Sequence, residues 1–258
     1  MNDENLVYDR QIRLWGAEAQ TKIGATRALL CGIRGVNVEV CKNLVLAGVA
    51  VTLVDDAIMS NADLGTNFLA GADGVGENRA VATASGARQL GAFARVEAVA
   101  GGWEPRLVAG HDVVVLEGGD EAVVLEANNA CRAQGVSFYH TRADAAGGLV
   151  FVDLGPTFEY RTEIGTGATA RLSEPKSQRY CRFDDLPPVA ELTRTPTSVI
   201  AASSHQLSYI SAIMGGLLAQ DVIKTIARKG QPICNFLVFD ASTNAAVVHA
   251  LLPAAENQ

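Results

Sequence analysis

The sequence predicts an α/β protein with a Rossmann-like, doubly wound and mostly parallel sheet that carries an antiparallel extension at one edge. Three observations predict it. "RALLCGI" (27–33), the helical stretch "RGVNVEVCKNLVLAGV" and "VTLVDD" (51–56) form a strand, glycine turn, helix and strand in succession. Apolar runs then alternate with helical patterns as far as "VSFYHT" (136–141), the mark of parallel strands covered on both faces. After that point "GGLVFVDLG", "TFEYRTE" and a late pair, "CNFLVFD" and "AAVVHALL", read as antiparallel strands, the last two as a hairpin around "ASTN".

Each element has a local reason. Val38, Cys41, Leu44 and Val45 repeat at helical spacing, and Gly48 closes their helix. "ENRAVATASGARQLG" is an Ala-rich helix, and "ARVEAVA" and "DVVVLE" (112–117) are strands. "DEAVVLEANNACRAQG" is a helix with a glycine stop. Residues 165–198 are rich in Thr, Ser, Pro and Gly and read as an exposed crossover loop, before a helix from about Ser203 to Arg228. The whole of 1–258 reads as one domain, within the size a single large α/β core can fill.

Composition narrows the function classes. Apolar residues make up 48% and charged residues 19%, an ordinary globular balance. A net charge of −7 without a Lys/Arg run argues against nucleic acid or an anionic membrane surface as partner. No stretch reads as a membrane span or a signal peptide. The five cysteines (Cys31, Cys41, Cys131, Cys181 and Cys234) are scattered, with no C-x-x-C pair for a metal, and point to a reducing compartment. Cys181 alone is flanked by charge, Arg179 and Arg182, which would lower its pKa and favour thiolate. His140 and His205 have no metal-ligand partners at a useful spacing and read as core or loop residues.

The first βα turn, "GIRGVNVE", is where such a fold binds phosphate, because helix N–H groups and the helix dipole face it. Gly32 and Gly35 are present, but Arg34 stands where a second glycine would let the backbone approach a pyrophosphate. Asp55 lies twenty residues after Gly35, the usual place for an acid that holds a ribose. On these residues alone, a weak nucleotide site and a nucleotide-free scaffold remain equally open. A second cluster precedes the core: "LVYDRQIRLWG" crowds charge and aromatics into a terminus that most domains leave loose.

Taken in order, "YDRQIRLWGAEAQ", "KNLVLAGV", "VTLVDD", "DLGTNF", "GVGENRA", "GGLLAQDVIK" and "NFLVFD" resemble the ThiF/MoeB-type adenylation fold of ubiquitin-like activating enzymes. Within that family they are similar to the small regulatory subunit of the SUMO-activating class. The likeness covers residues 6–155 and 199–252. It implies a reaction in which ATP and Mg²⁺ serve to adenylate the C-terminal glycine of a ubiquitin-like protein. The same likeness implies that this chain has lost the active pattern. Asn67 stands for an arginine that contacts phosphate, Ala57 for an acid that helps hold the metal, and Arg79 for a lysine. An aspartate expected near "TRADAAGG" has no counterpart there, and the paired C-x-x-C zinc motif is missing. Adenylyl transfer relies on positioned cations, each worth about 3–5 kcal/mol of transition-state stabilisation.

The resemblance therefore implies a degenerate site at Gly32, Gly35, Asp55 and Arg79, no cofactor or metal bound by this chain, and ATP with Mg²⁺ held by a partner. That partner is the catalytic subunit of the SUMO-activating enzyme, and SUMO is met indirectly. By the same resemblance the N-terminal helix carries an arginine finger acting in trans, Arg10, with Arg13 one turn on as a second contact or a brace. Tyr8, Ile12, Leu14 and Trp15 are expected to anchor that helix, with Leu14 and Trp15 foremost. The two helical stretches "VNVEVCKNLVLAG" and "SYISAIMGGLLAQDVIK" are the expected dimer surface, with Gly215–Gly216 allowing close approach. A helical insertion usual in the regulatory class is reduced here, because only about twenty residues separate "RYCRFDD" from "SSHQLSYI". A nuclear or cytoplasmic location follows. Other readings are the same subunit for another ubiquitin-like protein, a homodimeric ThiF/MoeB-type adenylyltransferase, and a nicotinamide-dependent dehydrogenase.

Overall fold

The computed structural model describes residues 6–91, 93–165, 171–186 and 206–251. Two short helices, α1 (Asp9–Trp15) and α2 (Ala17–Ala25), lead into strand β1 (Arg27–Cys31). Helix α3 (Gly35–Ala47) and β2 (Ala50–Asp55) complete the first unit. Helix α4 (Arg79–Ala87), β3 (Val96–Ala100), β4 (Val113–Glu117), α5 (Glu121–Gln134) and β5 (Ser137–Asp144) follow. β6 (Gly147–Asp153), the long helix α6 (Ser208–Ala227), and the hairpin β11 (Phe236–Asp240) and β12 (Ala245–His249) complete the main body. Among the described residues, four short strands lie between β6 and α6: β7 (Phe158–Tyr160), β8 (Glu163–Ile164), β9 (Arg171–Leu172) and β10 (Lys176–Gln178).

The main sheet has eight strands in the order β12–β11–β6–β5–β4–β1–β2–β3. Pairings from β3 to β5 are parallel, and those from β5 through β6 and β11 to β12 are antiparallel. One apolar layer joins α3 and α6 to one face of the sheet through Leu30, Leu44, Leu53, Met214 and Leu218. A second, on the other face, gathers Leu29, Val114, Leu116 and Phe151 with Val124 and Cys131 of α5. Strand runs that are apolar throughout are thus buried on both sides, as their composition requires.

Several expectations are corrected. "TFEYRTE" does not extend the main sheet: β7 pairs with β10 in a small sheet of its own. The stretch read as an exposed loop contains β9 and β10 and buries Tyr180 and Cys181, while 166–170 and 187–205, where the shortened insertion falls, lie outside the described residues. One helix, α6, is long and apolar enough to cross a membrane, yet it is a packed element of this core, with Ile210, Met214, Leu218 and Val222 fully buried. Helix α3 is largely buried within this chain, leaving Leu46 exposed, and Gly215 brings α6 against it: a Cβ there would lie 2.4 Å from that of Glu39 and 3.0 Å from the Val36 carbonyl oxygen. The side of α6 turned away from the core leaves Tyr209, Ile213 and Leu217 exposed.

Candidate functional site

Between β1 and β4 the strand order reverses, and the crevice at the carboxyl ends of these strands is where open α/β sheets bind ligands. The turn from β1 into α3 lies there. Gly32 has φ +76°, and a Cβ on it would meet the Glu117 carbonyl oxygen at 2.3 Å, so only glycine fits. Gly35 opens α3, and Asn37, at the third position of the glycine pattern, ties the turn together by donating from Nδ2 to the Cys31 and Gly32 carbonyls at 2.9 Å.

The backbone N–H groups that would grip phosphate are taken by the chain's own side chains. Ile33 N–H donates to Asp55 Oδ2, and Gly35 N–H to Gln206 Oε1 at 2.7 Å. Val36 and Asn37 N–H donate to the two carboxylate oxygens of Glu117 at 3.2 and 2.6 Å. Gln206 Nε2 closes the group by donating to Glu117 Oε1 at 2.7 Å. Glu117 is buried, and burial pushes its carboxyl up to about 6 against the opposing pull of the Asn37, Gln206 and Val36 donors.

Asp55 and Arg79 are brought together as well, but against each other. Arg79 reaches Asp55 through Nε and Nη2 and reaches Asp63 through Nη1 at 3.1 Å. The acid expected to hold a ribose is engaged from three sides, since Ala57 N–H also donates to it at 2.8 Å. Asn67 is buried and bonded to Thr83 Oγ1 and the Ala70 N–H, away from any phosphate role. Asp120, after the end of β4, caps α5 by accepting from Val123 N–H at 2.9 Å. Glu117, Gln206 and Asp63 escaped the sequence reading. An acid ending the apolar run of β4 was a signal for the first, and nothing local marked the other two.

His140 lies beside this crevice, with Nε2 3.0 Å from the Gly118 carbonyl oxygen. Burial, and then the charge of Arg142, push its imidazole down to about 3, so it is neutral. Cys181 departs from expectation: it is buried, receives a 2.7 Å contact from Asn235 Nδ2, and burial pushes its thiol up to about 11 despite the flanking arginines. All five cysteines are free and buried, and no group of His, Cys, Asp and Glu suited to a metal occurs among the described residues. His205 lies outside the described residues.

The N-terminal cluster is a separate feature. α1 buries none of its own residues; the preceding Tyr8 does the anchoring, its hydroxyl pressed on the turn at Gly48. Trp15 packs on the main core, whereas Leu14, expected to anchor, is 63% exposed. Arg13 pairs with Asp9 at 3.0 Å, one helical turn away. Arg10 is exposed and forms no ion pair among the described residues.

The ATP and Mg²⁺ that the resemblance implies do not fit this turn: its donors already hold carboxylate and amide oxygens, and Arg79 is spent on Asp55 and Asp63. Comparison with known proteins agrees in fold. Residues 8–258 match the model of the ThiF family. The chain is 30% identical to SUMO-activating enzyme subunit 1B-1 of Arabidopsis thaliana, with 96% of each chain covered, and 26% identical to SUMO-activating enzyme subunit 1 of Xenopus laevis at the same coverage. Those alignments run over 307 and 330 positions, more than the 258 residues here, so the relatives carry residues that this chain lacks. Among solved structures, Escherichia coli MccB with MccA-N7isoASN superimposes with a TM-score of 0.75 at 14% identity, covering 97% of this chain and 73% of that one. The protein PaaA gives 0.71 at 16% identity, with 96% and 74% covered. On the strength of the family match across nearly its whole length, the chain belongs to the ThiF family.

Proposed function

We propose that this chain is the non-catalytic subunit of a heterodimeric SUMO-activating enzyme. It pairs with a catalytic subunit that holds ATP and Mg²⁺, and it completes that subunit's site with Arg10 during adenylation of the SUMO C-terminal glycine. One observation carries the reading: the turn's phosphate-binding N–H groups are occupied from within, while Arg10 stands exposed on an anchored terminal helix. A guanidinium is a suitable finger, being permanently charged and able to grip phosphate oxygens with two donors. The relatives' names supply the modifier class. The exposed Tyr209, Ile213 and Leu217 on α6 offer an apolar stripe for the partner, the kind of patch that marks an interface. The nucleus or cytoplasm suits five free thiols.

The test is ATP–pyrophosphate exchange with SUMO, run with this chain alone, with a catalytic subunit alone and with both. Exchange only when both are present is the expected result. Exchange by this chain alone would favour the homodimeric adenylyltransferase and overturn the reading. Replacing SUMO by another ubiquitin-like protein separates the modifier classes.

A further inference from the structure

Phosphate sites at helix N-termini work because unpaired N–H groups and the helix dipole converge on an anion. Here the anion is part of the chain. The two oxygens of Glu117 accept from Val36 and Asn37, two of the first N–H groups of α3. Gln206 bridges the remaining gap, accepting from Gly35 and donating to Glu117 and, at 3.3 Å, to the Ala143 carbonyl. Gln206 lies two residues ahead of α6, and Ser211 in the first turn of that helix is buried against Gly35. One small cluster thus joins the ends of β4 and β5, the start of α3 and the entry to α6.

We infer that the nucleotide turn has been converted into an internal latch, in which the Glu117 carboxylate occupies the place of a phosphate and, through Gln206, clamps the entry of α6 onto α3 without any nucleotide. Two consequences follow physically. An incoming phosphate would have to displace a buried carboxylate and would meet its charge at close range, so the wild-type turn excludes nucleotide. The start of α6, which carries the exposed Tyr209 and Ile213, is held in place by the chain itself. In a nucleotide-binding relative of the fold the same N–H groups would be left for the ligand. Here they are permanently satisfied, as buried donors need to be.

Thermal unfolding of the full chain tests the exchange of carboxylate for phosphate, with inorganic pyrophosphate and ATP as probes. A ligand of the native state raises the melting temperature with concentration. The wild type is expected to show no rise at millimolar pyrophosphate or ATP. Glu117→Ala, which strands two buried N–H groups, is expected to melt several degrees lower and to recover part of that loss with pyrophosphate. Should Glu117→Ala fail to fold, Glu117→Gln serves instead: it removes the charge, keeps the side-chain size, and is expected to gain a smaller pyrophosphate response. Gln206→Ala keeps the carboxylate, so it is expected to melt lower with no response to the anion, and to show faster amide exchange over residues 208–214. A pyrophosphate-dependent rise in the wild type, or its lack in every folded Glu117 variant, would overturn the inference. Unchanged amide exchange in Gln206→Ala would overturn the clamp.

Discussion

Arg79 holds Asp55 in a fork, with Nε 3.0 Å and Nη2 2.9 Å from the same carboxylate oxygen, and both side chains are largely withdrawn from solvent. A buried pair of this kind is a weak source of net stability, but removing one partner strands a buried charge. Arg79→Ala should therefore cost about 3–5 kcal/mol, read as a shift in the urea midpoint at constant slope. Arg79→Lys should fall between, because an ammonium cannot reproduce the fork that reaches both Asp55 and Asp63. A loss below about 1 kcal/mol for Arg79→Ala would place this pair with ordinary surface salt bridges instead.

The two adjacent glycines of α6 should respond to alanine with opposite signs. At Gly215 the new methyl would press on the α3 backbone at the Val36 carbonyl and on the Glu39 Cβ, so the helices must separate. Overpacking of this kind costs about 1–3 kcal/mol, outweighing the gain of about 1 kcal/mol from better helix propensity. Nothing lies within 4 Å of a Cβ at Gly216, so there the propensity gain is unopposed and the isolated chain should be stabilised. Denaturant titration of the two single variants checks this directly.

Local patterns made the fold legible wherever an element announces itself. The apolar run of β1, the helical stripe ending at Gly48 and the run of β2 placed that whole unit to within a few residues. They did not reveal that β7 would pair with β10, because the partner is eighteen residues away across Pro- and Gly-containing chain. None of the seven residues of α1 is buried, and nothing local marks Tyr8, just ahead of the helix, rather than Leu14 as the anchor. At the turn, sequence could identify Gly32, Gly35, Asp55 and Arg79 and the missing glycine between them. It could not foresee what replaces the ligand, since Glu117 and Gln206 reach α3 across 80 and 171 residues of chain. Cys181 was misjudged for a related reason: flanking charges are local, and the burial that governs its thiol is tertiary.

The buried imidazole of His140 makes an acid-sensitive contribution. Its ordinary pKa of 6.5 is pushed down to about 3 in the folded chain, so the unfolded chain binds the extra proton first. Stability from this group is complete above pH 6.5 and is lost as pH falls from 6.5 toward 3, by about 1.4 kcal/mol per pH unit at most. Glu117 and Asp221, both pushed up to about 6 by burial, act in the opposite sense: what they contribute declines as pH rises through the window from about 4 to 6. The wild type must therefore be compared with His140→Gln at each pH. The stability difference should shrink or reverse between pH 7 and pH 5, and a difference constant with pH would contradict a neutral buried His140.

Arg10 and Arg13 sit on one short helix, yet they should behave differently in the assembled enzyme. Arg13 already has a partner in Asp9, an exposed i, i+4 pair of a kind worth at most about 1 kcal/mol. Its removal should alter adenylation by less than about fivefold, the equivalent of that energy. Arg10 is exposed and has no ion pair among the described residues, so under the proposed function its charge is the one to meet a partner's ATP. Loss of one positioned transition-state contact costs about 10²–10³ in rate, and Arg10→Ala should slow ATP–pyrophosphate exchange by the complex on that scale. Arg10→Lys should recover only part of the rate, because a point charge replaces a planar fork. Co-elution of the subunits on size-exclusion chromatography should be unchanged in both variants, since Tyr8 and Trp15 rather than the arginines anchor the helix. Equal activity of Arg10→Ala and wild type would remove Arg10 from the catalytic site while leaving the internal latch at Glu117 untouched, because the latch is read from the melting of this chain alone.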